Sequence, residues 1–300
     1  MSTLPVQPIV QDSYSEHFVA PALYVVATPL GNLGDITLRA LACLRVADAI
    51  ACEDTRHSRP LLDHFGITAP CFAVHEHNEN EASEKLIALL AEGKRVALIT
   101  DAGTPGISDP GARAVAAAHA AGYRVVPMPG ASAVVSLLSV AGLMDSRFLF
   151  AGFLPPKTTA RRAAIEALRT VPATLVFYEA PHRIVETVAD LAGVLEPERV
   201  LAIGRELTKR FEEVARMPLS EAVSWLKADT NRERGEFVLA VSAAPEQQGL
   251  DADSDRILRA LLGELPTKQA AKLAAEITGQ SKNELYARAL QLKDAESGPV

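Results

Sequence analysis

The 300-residue chain predicts two α/β lobes in succession, followed by a small, wholly helical C-terminal domain. Three observations predict this. Short continuous apolar runs alternate with amphipathic stretches of helical period, the pattern of βα units feeding a largely parallel sheet. The alternation comes in two series, and the length exceeds what one core holds. After residue 242 the composition turns polar, and beyond it only helical periodicity remains. A hydrophobic content of 48% with only 5% aromatic residues suits helices packed on strands better than an aromatic-rich sandwich.

In the first series the strand-like runs are 23–27 (LYVVA), 49–52, 71–74, 95–100 (RVALIT) and 124–127, with helices expected at 36–47 and 79–92. In the second, strands are expected at 148–153, 174–178, 200–203 and 237–242, helices at 158–169 and 183–194, and a further strand at 210–215. The break near 129–141 divides the lobes into 21–132 and 133–243. Residues 1–20 read as a disordered tail, without the basic and apolar regions of a signal peptide. Residues 244–254 read as a linker and 255–294 as helical. There, a helix over 267–278 stops at Gly279-Gln280, and Ser281 with Glu284 fits a capping box for the next. This helix-turn-helix-like pair is read as a packing element rather than a DNA reader. Trp225, between apolar neighbours, is read as core.

A net charge of −7 argues against nucleic-acid binding through overall charge, but leaves room for a local basic patch. Cys43, Cys52 and Cys71 lack C-x-x-C spacing, so buried free thiols and a cytoplasmic location are expected. No apolar run is long enough to span a bilayer, so no membrane partner is expected. His75 and His77 have no spaced third ligand, so no metal is expected.

Three loops carry the chemistry. TPLGNLGD (28–35) follows the first strand and precedes a helix; it lacks the full G-x-G-x-x-G dinucleotide pattern. TDAGTPGISDPG (100–111) ends the strand RVALIT, the position where α/β folds bind ligands. Within it, Asp101 is suited to accept from an amine or a ribose hydroxyl, whereas Asp109 and Pro110 fit the start of the next helix as N-cap and first residue. PMPGASA (127–133) again joins a strand end to a helix; its small residues allow a flat ring against the backbone, and Ser132 is either a contact or only a helix-start residue.

Together with CEDTRHSRPLL, FAGFLP, YEAPHRI, GRELTK and RGEFVL, these loops resemble the tetrapyrrole (corrin and porphyrin) methylase superfamily over about residues 22–242. Within it they are similar to the branch that methylates the ribose 2′-hydroxyl of a cytidine in 16S ribosomal RNA, which the C-terminal helices also resemble. The resemblance implies S-adenosylmethionine bound in a cleft between the lobes, no metal, and a homodimer. It carries the cofactor contacts onto Leu30, Asp101, Ala102, Gly103, Thr104, Ser132 and Ala133, and onto Tyr178, Leu207 and Phe237 of the second lobe.

For the substrate, the residues leave alternatives open. Glu53 or Asp54 suits proton removal and Arg56 a phosphate grip, or these are a helix cap and a local ion pair. His182 suits acid–base work near neutral pH, or is merely solvated. Lys157, Arg161, Arg162, Arg183 and Lys209 suit RNA phosphates, or line solvated faces and pair locally; the charge after Pro155-Pro156 also suits a lid. The expected partner is 16S rRNA, free or within the small ribosomal subunit, and not DNA. Two other functions stay open: a methylase of corrin or porphyrin precursors, and a non-enzymatic RNA-binding assembly factor.

Overall fold

The computed structural model describes residues 18–75, 78–245 and 252–296. The first series forms a five-stranded parallel sheet of β1 (Ala22–Val26), β2 (Ala49–Cys52), β3 (Cys71–Ala73), β4 (Arg95–Ile99) and β5 (Arg124–Met128), in the order β3-β2-β4-β1-β5. Its crossovers are α1 (Leu38–Val46), α2 (Thr55–His64), α3 (Glu79–Ala91) and α4 (Ala112–Ala120). Tyr24, Ile50 and Ile99 pack with α1, while Leu23, Val96 and Leu98 pack against Leu86 and Leu90 of α3. With both faces covered, the central strands need apolar residues at every position, hence their continuous apolar runs. Helix α1 begins at Leu38 rather than 36, because the Thr37 hydroxyl accepts the Ala40 N–H at 3.1 Å. The tail reading ran to residue 20, but Phe18 is buried edge-on against Tyr24, whose hydroxyl donates to Val19 O at 2.7 Å. Residues 1–17 lie outside the described residues.

The second sheet is mixed. It holds β6 (Phe148–Phe153), β7 (Thr174–Glu179), β8 (Val200–Arg205), β9 (Glu213–Pro218) and β10 (Phe237–Val241), in the order β6-β7-β10-β8-β9. Only β6 and β7 run parallel; β10, last in sequence, inserts antiparallel to both β7 and β8. The further strand lies at β9, three residues beyond its expected start. On one face α5 (Ala133–Val140) sets Val134 and Leu137 against Val176, Ala202 and Val238. The alternate residues Phe177, Ile203 and Leu239 pack on the other face with α6 (Thr158–Leu168), α7 (Ile184–Val194) and α8 (Leu219–Lys227). Trp225 is only partly buried, with the Arg232 guanidinium 4.1 Å over its ring. The three thiols are free, and burial pushes Cys43 up to about 12 and Cys52 to about 11.

Contacts divide the chain into two units at 244/245. The second has its own core, in which Leu258 of α9 (Ala252–Glu264), Ala270 and Ala274 of α10 (Thr267–Thr278) and Leu285 and Ala289 of α11 (Lys282–Glu296) meet. Gly279, at φ 73°, ends α10 by returning its N–H to Ala275 O at 3.0 Å. Helix α9 starts inside the stretch read as a linker, of which 246–251 lie outside the described residues.

Candidate active site

Since β1 lies between β4 and β5, the three loops leave the sheet side by side. They are stitched together. Thr28 and Gly103 exchange both backbone hydrogen bonds (2.8 and 3.1 Å), the Thr28 hydroxyl donates to Thr100 O at 3.0 Å, and the Thr104 hydroxyl donates to Ala131 O at 3.1 Å. Over them lies a cavity of about 290 Å³. Its first wall is Leu30, Ala102, Gly103, Thr104, Ile107, Asp109, Ser132 and Ala133. Its second is Phe153, Tyr178, Glu179, Ala180, Pro181, Glu236 and Phe237. The β10–β7 register sets Phe237 beside Glu179, and the Tyr178 ring meets Phe150 and Phe153 at 4.8 and 5.7 Å.

Of the cofactor contacts that the resemblance implied, all but two line this cavity. Leu207 is buried in the cluster against which Ala133 and Tyr178 pack. Asp101 turns its carboxylate to His57 Nδ1 at 3.0 Å and lines a neighbouring hollow with Glu53, Asp54 and Arg56. Ser132 stands at the N-cap position of α5, yet its side chain caps nothing and lines the cavity.

Asp109 is not the helix cap it was expected to be. Helix α4 starts at Ala112 with Gly111 as N-cap, and the Gly111 N–H is taken by Glu79 of α3 at 3.1 Å. Left-handed turns at Gly106 (φ 79°) and Ser108 (φ 67°) instead bring Asp109 to the cavity wall. There burial, with the Glu53 and Asp101 carboxylates nearby, pushes it up to about 6 against a hydrogen bond with Thr100. The same Thr100 hydroxyl donates to Glu53 at 2.7 Å. No sequence signal separated this Asp-Pro pair from a helix start, because the cap that frees Asp109 comes from thirty residues earlier.

A sequence profile of the Tetrapyrrole (Corrin/Porphyrin) Methylases matches residues 22–223. The chain belongs to that family. A second profile, the RsmI C-terminal HTH domain, matches 248–293. The chain is 52% identical over 275 residues to the Ribosomal RNA small subunit methyltransferase I of Pseudomonas aeruginosa, covering 91% of this chain and 98% of the relative. To the protein of that name from Escherichia coli O157:H7 it is 49% identical over 270 residues, covering 90% and 94%. The uroporphyrin-III-C-methyltransferase of Thermus thermophilus shares the methylase fold, with a TM-score of 0.54 over 74% of this chain and 94% of that one, at 23% identity.

The methylase's candidate RNA cations are not a free basic patch. Arg161 is fully buried; its Nε donates to Asp190 at 2.7 Å, and its guanidinium reaches Glu186 and Pro156 O. Arg183 donates to Leu154 O at 2.6 Å and pairs with Glu179 at 3.2 Å. Both hold the lobe's interior, which corrects their expected role as phosphate ligands. Lys209 pairs with Glu206 and Glu236 at 3.0 and 2.8 Å, its stem so close to Gly31 that a Cβ there would meet Lys209 Cγ at 2.5 Å. It ties the lobes beside the cavity. Arg162 is half-exposed but shares Asp190 at 3.3 Å. Arg56 is exposed and pairs with Asp54 at 2.6 Å, which together with a bond to the Arg56 N–H holds the Asp54 carboxyl far below its usual range. Asp54 is thus the cap of α2 rather than a ready base. Lys157 is exposed and has no ion-pair partner among the described residues, and His182 is exposed beside the cavity residue Pro181. Among the described residues no cluster of three His, Cys, Asp or Glu is placed to hold a metal, and no helix is long and apolar enough to cross a membrane. His77 lies outside the described residues.

Proposed function

We propose that the chain is an S-adenosylmethionine-dependent methyltransferase that methylates the ribose 2′-hydroxyl of a cytidine in 16S ribosomal RNA. One observation carries this: the cavity over the stitched loops, walled by both lobes, in a chain that shares about half its residues with ribosomal RNA methyltransferases over nearly their full length. Bound there, the cofactor supplies an electrophilic methyl group on a sulfonium.

The residues present suit that group. Leu30, Ile107 and Phe237 offer apolar faces to an adenine. Gly103 permits close approach, since a Cβ there would meet the Leu30 side chain at 3.3 Å. The uncapped start of α5 at Ser132 and Ala133 leaves backbone N–H groups for a carboxylate. Tyr178 and Phe153 wall the second side, and holding the reactants in line between the two walls supplies much of the rate for a displacement. Lys157, exposed and without an ion-pair partner among the described residues, and Arg56, exposed though paired with Asp54, are the candidate cations offered to phosphate. In this reading the protein works as a cytoplasmic homodimer on RNA within the small subunit.

The test is transfer of labelled methyl from S-adenosylmethionine to small ribosomal subunits from cells lacking this protein, mapped by cleavage sensitive to ribose methylation. A single labelled cytidine is expected. Label on a base, or none on RNA with the cofactor bound, would overturn the reading and turn attention to corrin and porphyrin precursors.

A further inference from the structure

Resting on that reading, we propose that Asp109 accepts the proton of the ribose hydroxyl. As the 2′-oxygen bonds to the methyl carbon, the carbon–sulfur bond breaks with its electron pair kept by sulfur, and the hydroxyl proton passes to an Asp109 carboxylate oxygen.

The cavity has three carboxylates, and two are committed. Glu179 is buried and held by the Thr187 hydroxyl, the Ala180 N–H and Arg183. Glu236 forms an ion pair with Lys209. Asp109 has no ion-pair partner among the described residues and shares the Thr100 hydroxyl. A hydroxyl has one proton to give, and that of Thr100 goes to Glu53 at 2.7 Å. Asp109 is therefore the cavity carboxylate with an oxygen available to a substrate hydroxyl.

The backbone points the same way. Ser108 is a non-glycine residue in the left-handed region immediately before Asp109, a strained conformation of the kind retained at working positions. The groups facing Asp109 are the carboxylates of Glu53 after β2 and Asp101 after β4, which favour its protonated form, and the Tyr178 phenol on β7, which burial keeps uncharged. With a value of about 6 the group is ionised at neutral pH and ready to accept. A sulfonium brought into the same cavity favours the ionised form further.

The decisive experiment compares wild type with Asp109→Asn, which keeps the shape and loses the basicity. In single turnovers on the small subunits described above, with the cofactor saturating, the variant is expected to be slower by roughly 10²–10⁴-fold, with the acid limb of the wild-type pH profile abolished. Calorimetry near pH 6, in buffers of different ionisation enthalpy, supplies a readout independent of turnover. Wild type is expected to release protons on binding S-adenosylmethionine and the variant to bind without release, which also shows that the variant is folded. Asp109→Glu is expected to recover part of the rate. An Asp109→Asn rate equal to wild type, or unchanged proton release, would overturn the assignment while leaving the methyltransferase reading intact. No transfer by wild type itself would remove both.

Discussion

Arg161 shows how far one side chain's environment departs from its sequence neighbourhood. It belongs to a stretch with an excess of cations, yet it is buried with Asp190 bonded to its Nε. Removing one partner of a buried pair leaves the other charged and unsolvated, so Arg161→Ala is expected to cost about 3–5 kcal/mol in chemical denaturation. Lys157→Ala is expected to leave stability unchanged and to weaken retention of ribosomal RNA, with a shallower dependence of binding on salt. Asp109 yields a second prediction. Its folded-state value is raised to about 6, whereas an unfolded aspartate titrates near 4. Its contribution to stability is therefore fully present below pH ~4 and lost as pH rises through about 6. Asp109→Asn is expected to match wild type in denaturant at the acid end and to exceed it at pH 8. The residues legible in sequence were those at strand ends, where small side chains and glycine limit the alternatives. The local pair of Arg183 with Glu179 was open to the sequence, but the burial of Arg161 was not, because its partners Asp190 and Glu186 lie on another helix and charge alone does not tell burial from exposure.

At the scale of elements, the loop between β4 and α4 does most to shape the cavity. Gly111 closes it at φ 123°, and a Cβ there would meet Leu98 Cδ2 at 2.9 Å. Gly111→Ala is expected to cost on the order of 1–3 kcal/mol from strain and overpacking. Cofactor affinity is expected to fall with it, because the loop that carries Gly103 and Asp109 is reset; thermal melting and calorimetry on one preparation check both. Helices and buried strands were legible here from periodicity, since burial on both faces writes itself into the sequence as uninterrupted apolar runs. The start of β9 was not: its inward and outward residues alternate weakly at the sheet edge, and the pairing with β8 that fixes its register is a long-range fact. The parallel rule inferred from the first lobe likewise carried no information on where β10 would insert.

For the whole molecule, the four cores of residues 18–244 are separate from the core of α9–α11. A chain ending at Ala244 is expected to fold, to bind S-adenosylmethionine as the full chain does and to lose only the helical signal of the last three helices, by circular dichroism and calorimetry. The two sheets also differ in when they can be finished. The first needs nothing beyond Met128, whereas the second waits for residues 237–241 to slot between β7 and β8. A polypeptide still being synthesised, and released only as far as β9, therefore presents two unpaired edges on apolar strands, which are templates for pairing with another nascent chain. Termination just before Phe237 is therefore a hazardous place for translation of this message to stop, and it also leaves the second wall of the cavity without its last residue.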